Sequence, residues 1–234
     1  MYPQAQGALI DEFIAVDNFT NGSAQYRFLT HANVLLDGLS DREWRTGTIY
    51  CSPLTAQLLP VVIRSQGRPV PWRFLKSLQL NVWHHMNGFS VMLLDANHIP
   101  GSVILILEGA RISEGRVLFA GNCRLDTRFY ENRRIMPILQ RKQFGTVYMH
   151  NKSSSIPEHL EYPGRNESLT RAVTLLRELA TGGANPIVIL VPELGFEKFL
   201  ADVAKQLQVL NMPLNLFGFV YFIFLLCRMN SRNN

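Results

Sequence analysis

Between residues 89 and 120 the chain alternates apolar runs with short polar turns, and no other stretch restricts the fold as strongly. Phe89 to Leu94 (apart from Ser90), Val103 to Leu107 and Val117 to Ala120 are apolar. Runs this short, bounded by turn residues, read as strands. They are joined by Asp95-Ala96-Asn97-His98-Ile99-Pro100-Gly101 and by the polar turn from Arg111 to Gly115. Together they predict a meander whose first loop gathers polar side chains at one edge of a sheet.

The flanking segments extend this pattern. Phe13 to Val16 and Tyr26 to Leu29 read as two short strands joined by a turn at Asn21-Gly22, and Thr48 to Cys51 reads as another. Ser52-Pro53-Leu54-Thr55 opens a helix, with Ser52 as N-cap, Pro53 at the first helical position and Leu54, Leu58 and Leu59 on the buried face. Tyr148-Met149 ends a strand, and a loop rich in Ser and Pro runs from Asn151 to Gly164. Asn166 then caps a helix carrying Leu169, Val173, Leu176 and Ala180, with Arg165 and Glu167 as an ion pair at its start and Gly182-Gly183 as its stop. Ile187 to Val191 predicts a buried strand, followed by a helix with Phe199, Val203 and Leu207 on one face. That order suggests a parallel α/β element.

Composition narrows the function classes. Hydrophobic residues make up 47% and charged residues 18% of 234, a globular balance that excludes a disordered chain. The net charge of +5 is compatible with a polyanionic partner. Cys51, Cys123 and Cys227 show no C-x-x-C spacing, so neither a zinc knuckle nor a disulfide framework is expected, and a reducing compartment is. The N-terminus lacks a secretory pattern. Leu216 to Cys227 is free of charge but shorter than the ~17–25 residues a membrane span needs, so a membrane is not an expected partner. No Walker-type loop, G-x-S-x-G or H-E-x-x-H string occurs, which argues against an NTPase, a serine hydrolase and a zincin.

The string Asp95-Ala96-Asn97-His98-x-Pro-Gly-Ser-Val, followed by Gly115-Arg-Val-Leu-Phe-Ala-Gly-Asn-Cys-Arg124, resembles the metallo-β-lactamase-fold nucleases with a β-CASP region, in the Apollo/Artemis branch of DNA cross-link repair proteins. Further segments agree in order: Ile14-Ala15-Val16-Asp17, Phe28-Leu29-Thr30-His31, Tyr50-Cys51-Ser52-Pro53-Leu54-Thr55, Tyr162-Pro163-Gly164-Arg165-Asn166-Glu167 and Leu194-Gly195-Phe196-Glu197. The resemblance runs from about residue 10 to about residue 208. It implies an α/β fold: a metallo-β-lactamase-like αββα sandwich over 1–155, the start of an inserted β-CASP α/β region over 156–210, and an apolar divergent tail over 211–234. It also implies a 5′-3′ DNA exonuclease family acting in cross-link repair and telomere-end protection, with zinc as cofactor, DNA 5′ ends as partner alongside repair or telomere proteins, and the nucleus as location.

The residues themselves depart from the family's metal chemistry. The resemblance implies the ligand motif H-x-H-x-D-H, and here only His31 remains of it. Asn33, Leu35 and Leu36 occupy the other ligand places, with Asp37 displaced inward. The loop histidine is His98. The bridging aspartate falls on Asn122 and a further family aspartate on His150. An amide is a poor ligand where two cations call for an anion. The expectation is a vestigial site of His31, His98, Asp37 and His150 with weak or absent zinc, on a DNA-binding pseudo-nuclease. The alternatives are a weak mononuclear hydrolase on nucleic acid or a small ester, and a truncated paralogue without function. Ser52, Arg124, Arg128, Arg133 and Arg134 are the candidate phosphate contacts, with Phe129 and Tyr130 placed among them for stacking. Ser52 is equally well explained as an N-cap, and the basic stretch as a solvated loop. His84 and His85 fall in a strand, on opposite faces, and are not expected to chelate one metal.

Overall fold

The computed structural model describes residues 7–19, 22–32, 47–65, 71–150, 163–184, 187–192, 194–208, 214–217 and 220–225. Asp37 and the rest of 33–46 lie outside them, as do Asn21 and 151–162. The chain divides into two compact units, Met1–Ser155 and Ile156–Asn234.

In the first unit, β1 (Ala8–Ile10), β2 (Ile14–Val16), β3 (Tyr26–Phe28), β4 (Ile49–Cys51) and β5 (Leu75–Ser77) form one sheet in that order. Helix α1 (Pro53–Ser65) separates β4 from β5. The second sheet has the order β10-β9-β8-β7-β6, from β6 (Trp83–His85), β7 (Ser90–Asp95), β8 (Val103–Glu108), β9 (Arg116–Gly121) and β10 (Thr146–Met149). Two short helices, α2 (Thr127–Tyr130) and α3 (Met136–Gln140), lie between β9 and β10.

Side-chain alternation explains the long apolar runs of β7, β8 and β9. Val91, Leu93, Leu105, Leu107, Val117 and Phe119 point one way and join Ile10, Ile14, Val16 and Phe28 in a core between the sheets. Met92, Leu94, Ile104, Ile106 and Ala120 point the other way, into a second core closed by Phe129 and Ile135, with Met136, Ile138 and Leu139 packed against it. Both faces are therefore dry, which is why these strands carry no polar alternation. Helix α1 packs on β5. The order helix, sheet, sheet, helix is an α/β sandwich of the metallo-β-lactamase type.

Several local expectations need correction. β2 and β3 pair in parallel, not as a hairpin, because the start of β3 lies beside Phe13: Phe13 O accepts from Gln25 N and Tyr26 N. In α1 the buried residues include Thr55, Ala56, Leu59, Pro60 and Val62, whereas Leu54 is 42% exposed. Phe129 is a core residue, not a stacking platform, and Tyr130 alone of that pair is exposed.

The second unit contains α4 (Arg165–Thr181), β11 (Ile187–Pro192), α5 (Glu197–Leu207), β12 (Leu214–Phe217) and β13 (Val220–Leu225). Val173, Leu176, Ile187 and Val203 form its core, with Leu169, Ala180, Phe199 and Leu207 packed against them. Its sheet, β11-β13-β12, is antiparallel throughout, so the expected parallel element does not form. The apolar segment after residue 213 supplies β12 and β13 and hydrogen-bonds to β11. The N-cap of α4 is Gly164, and Asn166 sits inside the first turn. Glu167 pairs with Arg171 one turn along, at 2.5 Å, the favoured i,i+4 geometry.

Candidate functional site

The carboxyl ends of β2, β3, β7, β9 and β10 meet at one edge of the sandwich, where α/β sheets characteristically offer a crevice. Each end delivers one or two polar residues. Asp17 follows β2, Thr30 and His31 follow β3, Asn97 and His98 follow β7, Asn122 follows β9 and His150 follows β10. Val103 N donates to Thr30 O at 2.9 Å, so the first residue of β8 ties the two sheets together here.

A chain of hydrogen bonds crosses this edge. Thr30 N and Thr30 Oγ1 donate to Asp17 Oδ1 and Oδ2 at 2.8 and 2.5 Å. With its proton given to Asp17, the Thr30 hydroxyl accepts from His31 Nδ1 at 2.7 Å. That places the His31 proton on Nδ1 and leaves Nε2 as an acceptor. Asn122 Nδ2 donates to it at 3.2 Å. The same amide's Oδ1 accepts from His150 Nδ1. Donors and acceptors alternate without conflict from Asp17 to His150.

Burial shapes this chain. His31 is buried, at 6% exposure. Asp17 is partly buried and in the left-handed region, with φ 51°, a conformation that Asp tolerates. Desolvation raises its pKa to about 6, opposed by the two bonds from Thr30.

His98 is exposed, and its ring meets the His31 ring edge-on with centroids 5.6 Å apart. The loop that carries it is rigidly built. Asn97, at φ 52°, donates to Arg124 O at 3.0 Å and to Asp126 Oδ1 at 2.7 Å. Ser102 Oγ accepts from Ile99 N at 3.1 Å and donates to Ile99 O at 2.7 Å, closing the turn. Gly101 O accepts from Ser52 Oγ at 2.6 Å and from Thr55 Oγ1 at 2.9 Å. Ser52 also accepts from Thr55 N at 3.1 Å, the N-cap geometry, and is 1% exposed. Its hydroxyl is committed to the fold.

The candidate phosphate contacts are divided. Arg124 pairs with Asp126 at 2.9 Å. Arg128, Arg133 and Arg134 are exposed on α2 and the turn after it. Because Asp126 is the N-cap of α2 and holds Asn97, these arginines belong to the element anchored beside His98. His84 and His85 bond to Gln79 O and Ser90 Oγ at 2.8 and 2.9 Å, away from this edge. The sequence reading missed Asp17, Thr30 and Asn97 as connectors. An isolated acid or amide directly after an apolar strand was the available signal.

The residues present do not suit the zinc that the resemblance implies. Among the described residues no three His, Cys, Asp or Glu side chains are placed to hold a metal ion. Asp17, a carboxylate of this edge, is taken up by its two bonds from Thr30, and the Asn122 amide occupies His31 Nε2 and His150 Nδ1. Burial pushes the Cys51 thiol up to about 12. Burial, with Asp95 and Asp126 adding, does the same for Cys123, so neither is a ready thiolate ligand.

Comparison with known proteins agrees with the strand-end motifs. No family model matches the chain. The 5′ exonuclease Apollo of Gallus gallus is 33% identical over 198 residues, 82% of this chain and 39% of that one. The DNA cross-link repair protein pso2/snm1 of Schizosaccharomyces pombe is 28% identical over 202 residues, 83% of this chain and 34% of that one. A metallo-β-lactamase of Cronobacter sakazakii aligns over 70% of this chain and 76% of its own at 14% identity and a TM-score of 0.38, a likeness on which nothing rests. The fold and the strand-end motifs define a metallo-β-lactamase/β-CASP nuclease type. Within it, the chain belongs to the family of the Apollo and Snm1/Pso2 DNA cross-link repair proteins. It spans between about a third and two fifths of the length of these curated relatives.

Proposed function

We propose that the chain binds DNA ends without hydrolysing them. The observation that carries this reading is Asn122. At the place where the family resemblance implies an anionic metal bridge, a neutral amide is hydrogen-bonded to both His31 and His150. The family's hydrolysis uses a metal-activated water, and among the described residues no three His, Cys, Asp or Glu side chains are placed to hold the metal. Binding needs only cations and an end-shaped edge. The exposed Arg128, Arg133 and Arg134 on the element tied to Asn97, with Tyr130 exposed beside them, supply the first.

The DNA cross-link repair names of the relatives support DNA as partner; a nuclear setting among repair or telomere-end proteins belongs to the same proposal. We read 156–210 as the start of the β-CASP region. No helix among the described residues is long and apolar enough to cross a membrane.

The test pairs two measurements on 5′-phosphorylated single-stranded DNA. Anisotropy should register binding that weakens in Arg133→Glu/Arg134→Glu and whose salt dependence flattens. Gel analysis with added zinc should register no shortening of the strand. Zinc-dependent digestion would instead favour a mononuclear hydrolase, a reading to which the 5.6 Å contact of His31 and His98 lends support.

A further inference from the structure

We infer that the Asn122 side chain is a structural clamp that stands in place of a bound metal, fixing the tautomers of two histidines and locking two strand ends of one sheet to a third in the other. His31 lies at the end of β3 in the first sheet, whereas Asn122 and His150 lie at the ends of β9 and β10 in the second.

Only an amide completes this set. Thr30 accepts from His31 Nδ1, so His31 Nε2 carries a lone pair and requires a donor. The Asn122 NH₂ group is that donor, and its carbonyl oxygen is then the acceptor that His150 Nδ1 requires. A carboxylate at this position sets oxygen against the His31 lone pair. That arrangement calls for a cation between them, and one carboxylate with two imidazoles is a donor set zinc accepts. A leucine keeps the volume and leaves a buried imidazole nitrogen without its partner. The asparagine therefore makes the edge self-sufficient, and the two rings reach the same Nδ1–H state through one side chain.

The experiment uses the full chain at pH 8. In wild-type protein, long-range proton–nitrogen NMR of the imidazoles should assign the proton to Nδ1 in both His31 and His150, and EDTA should leave the melting temperature unchanged. Asn122→Asp in EDTA should melt about 5 °C lower or more. Added zinc should raise it again, with close to one zinc bound per chain. An Nε2–H tautomer at either ring in wild type overturns the inference, and that readout stands even if the variant does not fold. Stoichiometric zinc in purified wild type, or a melting temperature that falls in EDTA, overturns it as well. So does an Asn122→Asp protein as stable in EDTA as wild type. DNA binding enters none of these readouts, so this inference and the proposed function fail separately.

Discussion

Asn97 Nδ2 lies 2.7 Å from Asp126 Oδ1, a bond between residues 29 apart that joins the loop after β7 to the first turn of α2. The same carboxylate accepts from Phe129 N as the N-cap and pairs with Arg124 through its other oxygen. One side chain thus holds the His98 loop and starts the helix that carries Arg128. Asp126→Ala removes the cap and one of the bonds of the Asn97 amide, at about 2–3 kcal/mol. The melting temperature should fall by about 5–10 °C. A change within error would mean that the loop is held by its own turn alone.

Gly101 sets the contact between that loop and α1. Its φ is +82°, and a Cβ there meets Thr55 N and Oγ1 at 2.9 Å. Both the backbone angle and the space exclude a side chain. Gly101→Ala is expected to cost about 2 kcal/mol or more, measured by urea unfolding with an unchanged m-value. The Ser52 and Thr55 bonds to Gly101 O are the first that this strain loosens.

Asp17 gives the fold a pH dependence of unusual sign. Its folded pKa, about 6, lies above the ordinary 3.8. The group therefore favours the folded state fully below about pH 4, and that contribution is lost as pH rises through 6. The difference corresponds to at most about 3 kcal/mol. Urea titrations at pH 4 and pH 7 should show wild type losing stability relative to Asp17→Asn across this interval. Parallel behaviour of the two proteins would refute the assignment.

Arg116 is an anchor far from the site. It is 7% exposed, donates to Lys142 O at 2.9 Å and Ile138 O at 3.2 Å, stacks over Phe144, and lies 3.3 Å from Glu108. The carbonyls it receives come from the last turn of α3 and the loop after it. Arg116→Met leaves them and Glu108 without a partner, a loss of about 3 kcal/mol by chemical unfolding. Arg116→Lys should recover only part, because an ammonium lacks the planar fork.

The meander was legible because β7, β8 and β9 are dry on both faces, so hydrophobicity alone delimits them. The parallel pairing of β2 with β3 was not, since Asn21-Gly22 is also the signature of a hairpin and the deciding bonds are those from Gln25 and Tyr26 back to Phe13 O. Antiparallel β11–β13 pairing was hidden for a related reason: helix–strand alternation is shared by parallel and antiparallel sheets, and the direction of the partner strand separates them. At the site, His31, His98, Asn122 and His150 came from motif resemblance. Their connectors did not, because Asp17–Thr30 and Asn97–Asp126 are bonds between loops brought together only by topology. Phe129 was misread because local charge said surface, while the cap at Asp126 turns that ring into the core.

His150 stands on the rim of its sheet. Among the described residues β10 is the outermost strand and pairs with β9 alone, through four residues, and it leaves Val147 and Met149 46% and 62% exposed. A strand so thinly held breathes before the interior does. Its amide protons should exchange with solvent sooner than those of β8, and with each opening His150 leaves Asn122 while His31, buried in the middle of the other sheet, stays. The edge of this molecule is thus hinged on one side and fixed on the other, so any ligand that enters between the two rings meets the moving histidine first.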